Sequence, residues 1–223
     1  MNSRGAFLAI CVTACTVLAV TGPLYAASAL SVTVLSAAGT PVQDAIVVAE
    51  AQKGSPPARP GLKDIMDQRN LMFVPGAMVV QTGTAVDFPN SDQVRHQVYS
   101  FSPAKTFQLA LYAGKAHAPV LFDKPGLVIL GCNIHDSMLG YIYVTDSPWY
   151  GRTGADGTLQ LRDLAPGEYT LHVWHALLDE SGPELQAHLN LAEGATGVAN
   201  FRLARPLRAP SLNHGADKKW EDY

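Results

Sequence analysis

Gly131-Cys132-Asn133-Ile134-His135-Asp136-Ser137-Met138 closes the apolar run Leu127-Val128-Ile129-Leu130 and places a thiol, an imidazole and a thioether within seven residues. Extended apolar runs that stop at a polar, glycine-bounded loop read as β-strands, so this stretch sets both the fold class and the chemistry. A further imidazole, His96, lies upstream at the head of another strand-like run, Val94 to Phe101. Two imidazoles, one thiolate and a weak thioether suit an ion that moves between Cu(I) and Cu(II). A structural zinc site would want four strong nitrogen or sulfur donors, and calcium or magnesium would want oxygens. The expected cofactor is therefore one copper ion.

Working outward, the pattern on both sides is of short strands. Leu30 to Leu35 and Ala45 to Ala49 flank the turn Ala37-Ala38-Gly39-Thr40-Pro41. Gln52 to Gly61, with three prolines and two glycines, reads as a linker, and Asp64 can begin one helical turn before Met72. Strands are expected at Met78 to Val80, Ala85 to Phe88, Val94 to Phe101, Thr106 to Leu111, Val120 to Phe122, Leu127 to Gly131 and Tyr141 to Val144. Beyond Pro148 the turns Gly154-Ala155-Asp156-Gly157 and Ala165-Pro166-Gly167-Glu168 separate Leu159 to Leu161 from Tyr169 to His175, and Ala187 to Leu191 and Val198 to Leu203 follow. Many short strands at this spacing, with no long amphipathic helix, predict an all-β chain of sandwiches. Ala209 to Tyr223 is polar and rich in loop formers and reads as a loose tail.

The chain has 223 residues, 48% hydrophobic and 16% charged, enough for one or two packed domains. Its start has the form of an export signal: Arg4, then the apolar stretch Phe7 to Val20, then Ala27-Ser28-Ala29 as the small-x-small cleavage pattern. The alternatives are an uncleaved membrane anchor, which Thr21-Gly22-Pro23 interrupts, and lipidation at Cys15, where the preceding apolar region is short. Cleavage after Ala29 removes Cys11 and Cys15 and leaves Cys132 alone, so no internal disulfide forms and the thiol is free to act as a ligand. With 16 basic and 19 acidic residues, and Arg202, Arg205 and Arg208 as the nearest thing to a basic cluster, nucleic acid is not an expected partner.

Phe88-Pro89-Asn90-Ser91-Asp92 leading to His96, together with Lys124 to Val144 around the Cys-x-x-His-x-x-Met spacing, resembles the two signature regions of the cupredoxins. The loop spacing is similar to that of amicyanin. Val98 to Lys105, with Leu111-Tyr112-Ala113-Gly114 after it, resembles the bacterial proteins called methylamine utilization protein, plastocyanin-like. The flanks resemble another family. Val32-Thr33-Val34 with Gly39 to Ala45, and Gly157 to Leu161 with Leu164 to Leu171, are similar to the two halves of a carboxypeptidase regulatory-like domain, a small transthyretin-like sandwich.

These resemblances imply a cupredoxin Greek-key β-sandwich at residues 53–150, inserted between 30–52 and 151–205 of the regulatory-like sandwich, with residues 1–29 as signal and 206–223 as a flexible tail. They imply His96, Cys132 and His135 as copper ligands, Met138 as the axial thioether, and Asn90 tying the two ligand-bearing segments together. Ile134 stands where many plastocyanin-like loops have Pro, and Gln97 where Asn is common. The implied function is a periplasmic type 1 copper protein that carries single electrons to or from a periplasmic redox protein, not a turnover enzyme. Two other readings stay open: a copper-handling protein that never cycles redox, and a carbohydrate- or protein-binding sandwich with a structural cupredoxin.

Other residues read more plainly. His172 and His175 flank Val173-Trp174 and point to opposite faces of a strand, so they do not chelate one ion together. His117 reads as a loop residue, and Tyr169 with Trp174 as sandwich core. No nucleophile elbow, paired carboxylates or phosphate-binding glycine loop is present in the sequence.

Overall fold

The computed structural model describes residues 26–114, 118–178 and 185–208, and among these there is no helix. The first strands among the described residues are β1 (Ser28–Leu35) and β2 (Ile46–Ala51). Next come β3 (Lys63–Ile65), β4 (Asp67–Arg69), β5 (Met72–Val74), β6 (Ala77–Gln81), β7 (Thr84–Asp87), β8 (His96–Ser102), β9 (Lys105–Tyr112), β10 (Val120–Phe122), β11 (Gly126–Gly131) and β12 (Leu139–Thr145). The last among them are β13 (Tyr150–Arg152), β14 (Thr158–Leu164), β15 (Gly167–Trp174), β16 (Leu185–Leu191) and β17 (Thr196–Arg202).

Two cores organise these strands. In β1, Leu30, Val32 and Val34 are fully buried while Ser31 and Thr33 stand half-exposed, the period-2 pattern of a strand with one face on a core. The sheet β14-β1-β17 supplies that face, and the sheet β13-β2-β15-β16 closes over it with Val47, Ala49, Tyr169, Leu171 and Val173. The second core lies between the five-stranded sheet β6-β12-β11-β8-β9 and the sheet β10-β7-β3. Val98, Val128, Leu130, Ile142, Val86 and Phe122 meet there.

The two sandwiches share a dry seam. Ile46 and Val48 on the outer face of β2 pack against Ala77 and Val79 of β6, with Tyr141, Tyr143, Tyr150 and Trp174 closing around them. Four sheets thus stack in layers. β2 is buried on both faces, which is why its sequence is a continuous apolar run rather than an alternation. Each Ile or Val side chain taken out of water there contributes about 1.5–3 kcal/mol. Trp174 packs in this seam at 5.4 Å from the Tyr141 ring, while Tyr169 sits in the first core against Trp149.

Several local expectations are corrected. Asp64 begins no helical turn: its carboxylate accepts the Ile65 N–H, and the segment forms β3 and then the β4–β5 hairpin. β13 was not legible as a strand, and it exists because Tyr150, Gly151 and Arg152 pair with Val48, Val47 and Ile46. β1 begins at Ser28, inside the stretch expected to be cleaved, and Ser28 Oγ donates to the Ala192 carbonyl at 2.9 Å. Within the tail expected from residue 206, Leu207 packs on the first core and the Arg208 N–H donates to the Leu177 carbonyl at 2.9 Å. The rest of that tail, His117, and the signal up to residue 25 lie outside the described residues. Among the described residues no helix is long and apolar enough to cross a membrane.

Candidate metal centre

His96 is the first residue of β8, and the strand's alternation turns His96, Val98 and Ser100 to the inside. β11 pairs antiparallel with β8 at Gly131 and Tyr99, so the chain leaving β11 runs back alongside Val98, Gln97 and His96. Cys132 follows directly, and two reverse turns close the loop: the His135 N–H donates to the Cys132 carbonyl at 3.4 Å, and the Met138 N–H to the His135 carbonyl at 2.9 Å. β12 then begins at Leu139. Strand pairing therefore fixes His96 against Cys132, and the turns bring His135 back to both.

The donor atoms converge. Cys132 Sγ lies 3.9 Å from His96 Nδ1 and 3.8 Å from His135 Nδ1, and one atom from each of the three residues falls within 4.8 Å of the others. The imidazole centroids are 4.9 Å apart, tilted at 60°. His96 is 0%, Cys132 3% and Met138 1% exposed, whereas His135 is only partly covered. Met138 belongs to the same buried cluster as Cys132 in the second core. Beside Met138, Phe73, Ala77, Leu139 and Tyr141 line a groove of about 380 Å³ between the sandwiches.

The electrostatics favour a ligating thiolate. Burial works to raise the Cys132 thiol, but its hydrogen bond with His96 and the backbone N–H groups of Gln97 and Ile134 hold it below its ordinary value. Burial works to lower His96, and its bonds to Cys132 and Asp92 hold it above its ordinary value. His135 is lowered by burial and by the neighbouring His96, which leaves its ring disposed to bind as the neutral imidazole.

The sequence did not single out Asp92. His96 Nε2 meets Asp92 Oδ2 at 2.8 Å, which leaves Nδ1 free to face the sulfur, the arrangement in which the second ring nitrogen of a ligand is held by a carboxylate. Asp92 stands four residues before His96, and only the loop geometry turns it back on the ring. Asn90 also differs from expectation. Its side chain donates to the carbonyls of Val94 at 2.8 Å and Tyr112 at 3.0 Å, and accepts from the Asp92 N–H at 2.9 Å. It braces the loop leading into His96 and does not join the two ligand segments. That join is made by Asn133 Nδ2 donating to Gln97 Oε1 at 2.8 Å.

The residues fit a copper ion. A thiolate and two imidazoles, with a thioether buried in the same core cluster as the thiol, are too few strong donors for a closed zinc site and too soft for calcium or magnesium. Among the described residues, His96, Cys132 and His135 are the group that meets a ligating geometry.

No family model matches the chain, and no curated protein matches it. Solved structures do. A copper-containing nitrite reductase from Thermus scotoductus is 24% identical over 40% of this chain, with a TM-score of 0.35, and the match spans a quarter of that protein's length. An oxidized amicyanin mutant is 16% identical over 44% of this chain and 98% of its own, with a TM-score of 0.34. A purple cupredoxin from Nitrosopumilus maritimus is 21% identical over 38% of this chain and 99% of its own, with a TM-score of 0.31.

Proposed function

We propose that this protein is an exported one-electron carrier built on a type 1 copper site, with His96, Cys132 and His135 as the strong donors and Met138 as the axial thioether. The observation that carries the reading is the convergence of the three donor atoms within 4.8 Å, with Met138 buried in the same core cluster as Cys132. Bound copper supplies a one-electron couple. The chain supplies donors whose positions are set by β8, β11 and β12 and by two turns, so little has to move when the charge on the ion changes. Burial of His96, Cys132 and Met138 keeps water from competing as a ligand.

His135 is the edge by which electrons enter and leave. It is the most exposed of the donors, and Ile134 before it and Leu139 after it in the chain are exposed apolar side chains. An apolar rim around a ligand suits brief docking by a redox protein of the same compartment. The copper unit, expected at 53–150 but with Trp149 and Tyr150 belonging to the first sandwich, sits between the halves of a regulatory-like sandwich expected at 30–52 and 151–205, whose part is to hold the copper unit through the seam of Ile46 and Val48 on Ala77 and Val79. Methylamine utilization proteins of plastocyanin-like type are the proposed kin.

Voltammetry of the copper-loaded protein separates this reading from copper handling. A reversible one-electron wave, with copper that resists added chelator, is expected. Rapid loss of copper to chelator with no reversible wave would assign the site to metal transport.

A further inference from the structure

Asp92 does more than touch His96. Besides taking His96 Nε2 at 2.8 Å, its carboxylate accepts the Asn70 N–H at 2.6 Å and the Leu71 N–H at 3.0 Å. Asn70 and Leu71 are the two residues between β4 and β5, where Arg69 pairs with Met72. Both have left-handed backbones, φ 56° and 57°. Consecutive positive φ values mark the hairpin turn that ordinarily takes Asn-Gly. Asn tolerates that region, but Leu meets steric resistance between its Cβ and the backbone. Local preference does not make this turn, so tertiary bonds must hold it, and the two amides it presents are the ones that grip Asp92. One carboxylate thus receives a hairpin tip on one side and a candidate ligand on the other.

On the basis of the copper reading, we propose that Asp92 is a positioning residue of the metal centre: held by the Asn70–Leu71 turn, it keeps the proton of His96 on Nε2, aims Nδ1 at Cys132, and strengthens the imidazole as a donor. A carboxylate accepting the far N–H raises ligand basicity, and a more basic imidazole favours the more highly charged ion. Asp92 thereby holds the potential down.

Asp92→Asn tests this with three readings. In the apo wild-type protein the His96 Nε2–H should give a slowly exchanging proton resonance, and the Asn70 and Leu71 amides should exchange slowly; the variant should lose the first and speed the others. In the copper-loaded variant Cu(II) affinity should fall roughly 10- to 100-fold. If Cu(I) affinity falls tenfold less, the potential rises by about 59 mV. Asp92→Glu, which keeps the charge, should recover part of the wild-type potential and guards against a variant that does not fold. No protected Nε2–H in the apo wild type would overturn the proposal whether or not copper binds. An unchanged potential in Asp92→Asn would overturn the tuning. Failure of the wild type to bind copper, with the Nε2–H protected, would count against the copper reading instead.

Discussion

Asn133 Nδ2 donates to Gln97 Oε1 at 2.8 Å, and that single bond joins the residue after Cys132 to the residue after His96. It spans two segments that the pairing of Gly131 with Tyr99 has already brought side by side. The bond is exposed, so it restrains the mouth of the site more than it stabilises the fold.

Asn133→Ala should therefore cost little in stability, about 0.5–1.5 kcal/mol for a lost hydrogen bond. It should nevertheless speed the release of copper to a chelator. Thermal unfolding of the apo protein and stopped-flow chelation check the two halves separately.

The proposed donor roles differ in strength, and so should their removal. Cys132→Ser removes the thiolate and should abolish intense visible absorption, whereas Met138→Leu should retain copper and raise the potential, because a weak electron donor to the ion is lost. Absorption spectra and voltammetry of the two variants distinguish an equatorial from an axial ligand.

Gly131 is glycine because a ring lies on it. A Cβ there would stand 2.7 Å from Cζ and Oη of Tyr99. Gly131→Ala should destabilise the protein by about 1–3 kcal/mol as Tyr99 is pushed aside. Tyr99→Ala should suppress most of that penalty, a non-additivity read from chemical denaturation of the two single variants and the double variant.

His175, which is not one of the converging donors, predicts a pH effect on stability. Burial lowers it below its ordinary value, against the Gln43 carbonyl and Asp44, which act to raise it. The unfolded chain therefore takes up this proton before the folded chain does. Stability from His175 is full above about pH 6.5 and falls as pH drops toward its depressed folded value, by at most about 1.4 kcal/mol per pH unit for one proton. Urea midpoints of the apo protein from pH 8 to pH 5 should decline less steeply in His175→Gln than in wild type.

The sequence exposed the parts of the site that are local. Cys132, His135 and Met138 fall within one loop, and His96 heads a run with a clear strand period, so chemistry and spacing suffice to bring them to notice. What it hid depends on the third dimension. Asp92 reads as an ordinary loop acid until the hairpin tip at Asn70 and Leu71 turns its carboxylate onto His96. Asn90 resembles a tie between ligand segments, but its bonds to Val94 and Tyr112 keep it on one side. The apolar run of β2 announced a strand without revealing that β6 covers its second face.

The most direct test of the copper site is the visible and electron paramagnetic resonance spectrum of the purified protein loaded with Cu(II). The account predicts an intense thiolate-to-copper band with narrow parallel hyperfine splitting, lost in Cys132→Ser. A weak band with ordinary splitting, or an intense band that survives that substitution, would contradict it.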